Sequence, residues 1–136
     1  MKKTLIDSGP LIALFNRRDS YHAASVEFIK VNRSELVTTI ASLTETLHLL
    51  NFNRNAQVDF LGWVYAGAVT IEPITTNDLQ RIREMTIKYS DLPIDFADAC
   101  LVFLGEKLNI GTIATIDRDF DIYRMEGKRP LTTLIK

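Results

Sequence analysis

The sequence predicts an α/β fold with a mostly parallel central sheet flanked by helices, and two observations carry that expectation. Short apolar runs alternate along the chain with segments of helical period, the pattern of a parallel sheet covered on both faces. One helical segment, residues 95–108 ("DFADACLVFLGEKL"), has no charge from Ala99 to Leu104, and a helix apolar around most of its circumference is buried between layers. No repeat, linker or low-complexity tract divides the chain, so residues 1–136 are expected to form one domain.

Each element has its own signal. "KKTLID" reads as a strand ending at Asp7. "SGPLIALFNRR" reads as a helix with Ser8 or Gly9 near its start and Pro10 in its first turn, where a missing N–H costs nothing. "YHAASVEFIKV" is a second helix after the Asp19-Ser20 cap signal. "ELVTT" is a strand, followed by a helix through "ASLTETLHLLNF". "AQVDFLGWVYAG" is a further helix with Asn55 as its expected cap. "AVTIEP" is a third strand ended by Pro73. "TNDLQRIREMTIKYS" repeats Leu79, Ile82, Met85 or Thr86, and Tyr89 near helical period. After the "DLP" loop comes the apolar helix, then the strand "GTIATI", a turn or short helix "DRDFDIYR", and a last strand "LTTLI".

Composition excludes several classes. With 46% hydrophobic residues in 136, a single domain can bury about two-thirds of its unfolded surface. No stretch approaches the roughly 18 apolar residues of a membrane span. Asp7 and Pro10 interrupt the apolar part of the N-terminus and spoil it as a signal peptide. A cytoplasmic protein without membrane contact is expected. The single cysteine, Cys100, lies in the apolar run and reads as a small buried hydrophobe. The net charge of −1 does not by itself point to nucleic acid. If four of the seventeen acids were gathered in one pocket, the remaining thirteen would face sixteen Lys and Arg, a mildly basic shell.

The acids pose the chemical question. Asp7 and Asp117 both stand where a predicted strand gives way to a helix, and ligands of open α/β sheets bind outside such carboxyl ends. Each could equally cap the helix that follows. Asp98 borders the apolar run, and a buried charge there needs a partner; it also suits a capping box with Asp95 as N-cap. Two charges about 5 Å apart repel by roughly 3 kcal/mol at an effective dielectric of 20, so converging carboxylates either take up protons or share a cation. Oxygen-only ligands favour Mg²⁺ or Mn²⁺ over Zn²⁺. Glu45 lies off the Ile40, Leu43, Leu47 and Leu50 stripe, so periodicity places it on an exposed face. Glu45-x-x-His48 has the spacing of di-iron bundles but lacks their second copy. No Gly-rich phosphate loop, G-x-S-x-G elbow or H-E-x-x-H is present. Trp63 and Tyr65 are expected to pack rather than to stack on bases.

In order along the chain, "LIDSGPLIALF", "TTIASLTETLHLL", "DLPIDFADACLV" and "IATIDRDFDIY" resemble the four acidic segments of PIN-domain ribonucleases, in particular the VapC-like toxins of toxin-antitoxin pairs. The resemblance implies a PIN-like three-layer fold and metal-dependent hydrolysis of RNA phosphodiester bonds. It maps the catalytic, metal-binding site onto Asp7, Glu45, Asp98 and Asp117, with Ser8 and Thr115 as hydroxyl neighbours orienting the carboxylates. Asp95 could stand in for Asp98, and Asp119 or Asp121 for Asp117. The cofactor implied is Mg²⁺ or Mn²⁺. The partners implied are an RNA substrate, a cognate antitoxin docking near the acidic cleft, and a second copy of the chain, to which "AQVDFLGWVYAG" could contribute a face. Arg17, Arg18, Arg54, Arg118 and Arg124 are candidates for phosphate contacts. Two other readings fit fewer of these residues: a non-catalytic PIN-like scaffold binding RNA or a partner, and a receiver-like phosphoacceptor. The receiver would need paired acids after the first strand, where Asp7 is followed by Ser8.

Overall fold

In the computed structural model, which describes residues 2–135, the elements run β1 (Lys3–Ile6), α1 (Ser8–Phe15), α2 (His22–Val31), β2 (Glu35–Thr38), α3 (Ile40–Leu49), α4 (Arg54–Tyr65), β3 (Thr70–Ile71), α5 (Leu79–Lys88), α6 (Phe96–Leu108), β4 (Thr112–Thr115), β5 (Arg124–Met125), β6 (Arg129–Pro130) and β7 (Thr132–Ile135). Short 3-10 turns cover Thr76–Asp78 and Arg118–Asp121. Five strands form a parallel sheet in the order β3-β2-β1-β4-β7.

Alternation along the central strands sends successive side chains to opposite faces. Leu5, Val37 and Ile113 enter one core with the α6 residues Ala99–Leu104, Ile82 and Met85 of α5, and Phe120, Tyr123 and Met125. Ile6, Leu36 and Ala114 enter the other, with Leu11, Leu43, Leu50, Ala56 and Phe60. Helices α1–α4 therefore cover one face, and α5 and α6 the other. This is the three-layer, parallel-sheet arrangement expected from the sequence. Among the described residues no helix is long and apolar enough to cross a membrane.

Several boundaries differ from the sequence reading. Helix α1 stops at Phe15, because Asn16 turns extended and its side chain accepts the N–H of Arg18 (3.1 Å). The cap of α4 is Asn53, not Asn55: Asn53 is extended and its Oδ1 accepts the N–H of Ala56 (3.2 Å). Only Thr70 and Ile71 of "AVTIEP" pair, through Val37 and Thr38 at the end of β2. Thr75 and Asp78 form a capping box that splits the expected helix into a 3-10 turn and α5. The stripe assigned to α3 is rotated, for Ile40 is 61% exposed while Ser42, Leu43, Thr46 and Leu50 are buried. Trp63 packs on Phe15 with ring centroids 5.5 Å apart, but Tyr65 does not pack and is 94% exposed. The β5–β6 hairpin gave no sequence signal, its strands being two residues each. Gly105 admits it against α6, since a Cβ there would lie 2.8 Å from the sulfur of Met125 and 3.0 Å from the carbonyl oxygen of Ile110.

Candidate active site

The chain leaves β1 and β4 in divergent directions: after β1 it builds the β2–β3 side of the sheet, and after β4 it builds β7. The carboxyl ends of these adjacent strands thus flank a topological switch point, where open α/β sheets place their ligands. Asp7 follows β1 directly. Its N–H donates to the carbonyl of Ala114 in β4 (3.0 Å), which ties the two strand ends together. Its backbone is extended, so it caps α1, and its Oδ1 accepts the N–H of Ser8 (2.8 Å). Its Oδ2 accepts the hydroxyl of Thr115 (3.0 Å).

Thr115 also accepts the N–H of Asp117 (2.9 Å), fixing the exit from β4. Asp117 then caps the 3-10 turn, its Oδ1 accepting the N–H of Asp119 (2.9 Å). Helix α6 brings the third acid. Asp95 is its N-cap and accepts the N–H of Asp98 (2.8 Å). The capping role therefore falls to Asp95, which is exposed, whereas Asp98 is buried.

One carboxylate oxygen from each of Asp7, Asp98 and Asp117 lies within 4.8 Å of the others. Glu45 stands outside this trio but is joined to it: the Ser8 hydroxyl, one residue from Asp7, donates to the Glu45 carboxylate across 37 residues of sequence. Asp119 is half-buried beside the trio, and the exposed Asp121 accepts the hydroxyl of Thr133 (3.1 Å). Arg17 and Arg18 line a separate cavity of about 660 Å³ with Phe15, Phe52 and Asn53. The guanidinium of Arg124 donates to the carbonyls of Asp121 and Tyr123. Of the candidate phosphate ligands, Arg118 is next to a trio member and exposed.

Burial and mutual repulsion act on the protons of this group. Asp98 is pushed up to about 9, first by burial and then by the charges of Asp7, Asp95, Asp117 and Glu45. Asp7 is pushed up to about 7, chiefly by burial; the Ser8 and Thr115 hydrogen bonds oppose the rise, and Glu45 and Asp117 add to it. Asp119 is raised as well, by burial and by Asp117. Three carboxylates converging this closely, two of them buried, offer the all-oxygen donor set and negative charge that suit a hard divalent cation. The residues present fit such an ion, with Ser8 and Thr115 as the outer hydrogen-bonding support that ligating carboxylates require.

Periodicity placed Glu45 on an exposed face, and only the resemblance marked it as a site residue. The Ser8 hydroxyl is what draws it to the acids. Tyr123 carried no signal in "DRDFDIYR", although it is fully buried on the turn that follows Asp117 and its phenol feels the charges of the same acids.

Residues 4–125 match the PIN domain family. A curated relative, Ribonuclease VapC26 of Mycobacterium tuberculosis, is 28% identical over 116 residues, spanning 84% of this chain and 86% of the relative. Among solved structures, VapC20 of Mycobacterium tuberculosis, a Sarcin-Ricin loop cleaving toxin, superposes with a TM-score of 0.82 at 22% identity, covering 93% of this chain and 99% of that one. VapBC2 from Rickettsia felis, bound to a DNA fragment from its promoter, matches with a TM-score of 0.66 at 12% identity over 96% of each chain.

Proposed function

This chain belongs to the PIN domain family, and from that premise we propose that it is a divalent-metal-dependent ribonuclease hydrolysing RNA phosphodiester bonds, the toxin of a type II toxin-antitoxin pair. The observation that carries the reading is the trio of Asp7, Asp98 and Asp117 oxygens at the carboxyl edge of the sheet. Mg²⁺ or Mn²⁺ is the proposed cofactor. When bound, such an ion supplies Lewis acidity toward the phosphate and toward an attacking water. Asp7, Asp98 and Asp117 hold the ion. Thr115 and the Ser8 N–H fix both oxygens of Asp7, so its carboxylate stays in a ligating orientation. Glu45, tethered by Ser8, stands at the rim to orient water. Arg118, exposed next to Asp117, is the proposed contact to the RNA backbone.

In a test with RNA that the purified protein cleaves in Mg²⁺, EDTA should abolish cleavage and Mn²⁺ restore it. Undiminished cleavage in EDTA would rule out the metal-dependent mechanism.

An antitoxin is the proposed protein partner, as in the VapBC2 complex. A groove of about 960 Å³ adjoins the site, lined by the apolar Ile40, Leu79 and Phe96 and the acidic Glu45, Glu72 and Asp95. It suits a segment with apolar and cationic side chains. A homodimer is proposed on a different surface: Val58, Leu61 and Tyr65 form an exposed stripe along α4 at helical spacing. Light scattering at micromolar concentration should report twice the chain mass, and Leu61→Glu should give a monomer. A wild-type monomer would remove the dimer. A cytoplasmic location accords with an RNA substrate.

A further inference from the structure

Two buried groups near the acidic trio are each missing what the other could supply. Asp7 and Asp117 have their carboxylates held by donors, from Ser8, Thr115 and Asp119. Among the described residues the carboxylate of Asp98 accepts no hydrogen bond, although it is buried and stands in the same trio. The hydroxyl of Tyr123 is the converse case: the residue is fully buried, and its oxygen has no hydrogen-bond partner among the described residues.

The ring of Tyr123 is fixed. It packs edge-on against Phe120 (centroids 5.3 Å apart) and Tyr89 (5.1 Å), in the core that also holds Ala99 and Cys100, the residues following Asp98 in α6. The N–H of Tyr123 donates to the carbonyl of Asp119 (3.2 Å), folding it back on the turn that begins at Asp117. Phenylalanine would fill this space without carrying a hydroxyl into it, and burying an unmatched hydroxyl is unfavourable. Burial first, and then the charges of Asp98, Asp119, Asp117 and Asp95, keep the proton on the phenol. It is a donor throughout the working range.

We propose that Tyr123 is a positioning residue of the metal site, its hydroxyl donating through one bridging water to the Asp98 carboxylate and holding it in the orientation that ligates the cation. All three side chains of the trio would then have an orienting donor. This inference rests on the metal-site reading given above. Outer partners of metal ligands typically alter affinity by about 10- to 100-fold.

The test is Mn²⁺ affinity, measured by calorimetry and by the paramagnetic signal of free Mn²⁺, for the wild type, Tyr123→Phe, Asp98→Asn and the double variant. Tyr123→Phe should weaken Mn²⁺ binding about 10-fold, while the metal-free protein melts at the wild-type temperature or above it. In the Asp98→Asn background the same substitution should cause little further loss, because Tyr123 acts through Asp98. A purely structural tyrosine would show the opposite: wild-type Mn²⁺ affinity in Tyr123→Phe, which overturns the inference. If Asp98→Asn weakens binding and Tyr123→Phe does not, only the role of Tyr123 falls. If Asp98→Asn itself binds Mn²⁺ like the wild type, the metal-site reading falls and takes this inference with it.

Discussion

Asp98→Asn is expected to lower RNA cleavage and divalent-cation affinity together, by about 100-fold or more, since a ligand should matter at least as much as the outer partners of ligands do. The metal-free protein should melt at the same temperature or higher. The asymmetry follows from the division of labour at the start of α6. Asp95 caps the helix, and the bond it accepts comes from the backbone N–H of position 98, which asparagine retains. What the substitution removes is a buried carboxyl that keeps its proton up to about 9 and, once ionised, repels Asp7, Asp95, Asp117 and Glu45. Loss of a cap would instead cost about 1 kcal/mol. Asp95→Ala is the matched control and should show that cost. An Asp98→Asn variant that melted lower without metal, yet cleaved RNA at the wild-type rate, would make Asp98 a structural residue and remove it from the site.

The second large effect concerns pH. The folded protein holds protons on Asp7 up to about 7 and on Asp98 up to about 9, whereas both carboxyls titrate near 3.8 when unfolded. Between those limits the native state binds more protons than the unfolded chain. Stability then falls as pH rises. The full contribution is present below about pH 4 and is lost as pH climbs through the two folded values. Every tenfold gain in proton affinity on folding corresponds to about 1.4 kcal/mol, and the two acids share one site, so the combined loss is on the order of a few kcal/mol. In EDTA the melting temperature should drop by about 10 °C between pH 5 and pH 9. A divalent cation binds the deprotonated form and reverses the trend. At 100 times its dissociation constant it adds about 2.7 kcal/mol, with the largest gain at alkaline pH. A melting temperature flat from pH 5 to pH 9 in EDTA would contradict the close packing of these acids.

Much of the fold was legible because its elements are strongly periodic and their burial is one-sided or complete. The run from Ala99 to Leu104 announced a buried helix, and the alternation of strand and helix signals announced a parallel sheet. Asp7 and Asp117 stood out because each ends a strand, and Asp98 because it borders an apolar run. Local chemistry sufficed for these. It did not suffice where two segments compete for the same role. Asp95 and Asp98 both suit the start of α6, and only packing decided that one caps in solvent while the other turns inward. Asn55 was the expected cap of α4, yet the extended backbone of position 53 gives that role to Asn53.

Sequence by itself determined the order of the elements, the parallel sheet and the residue types able to hold a hard cation, because propensity and hydrophobic period act over a few residues. Tertiary structure alone decided which acids share a site. Thr115 reaches Asp7 across 108 residues, Ser8 reaches Glu45 across 37, and α6 delivers Asp98 to a sheet edge built by other strands. Such contacts depend on strand order and helix rotation. The exposed Ile40 and the buried Ser42 and Thr46 show that rotation was set by packing against α1 and α6 rather than by the apolar stripe. A carboxylate also acquires its proton affinity from neighbours and burial, neither of which exists in the unfolded chain. The chemistry of the site is therefore a property of the assembled sheet edge, although its three clustered aspartates stood out in the sequence.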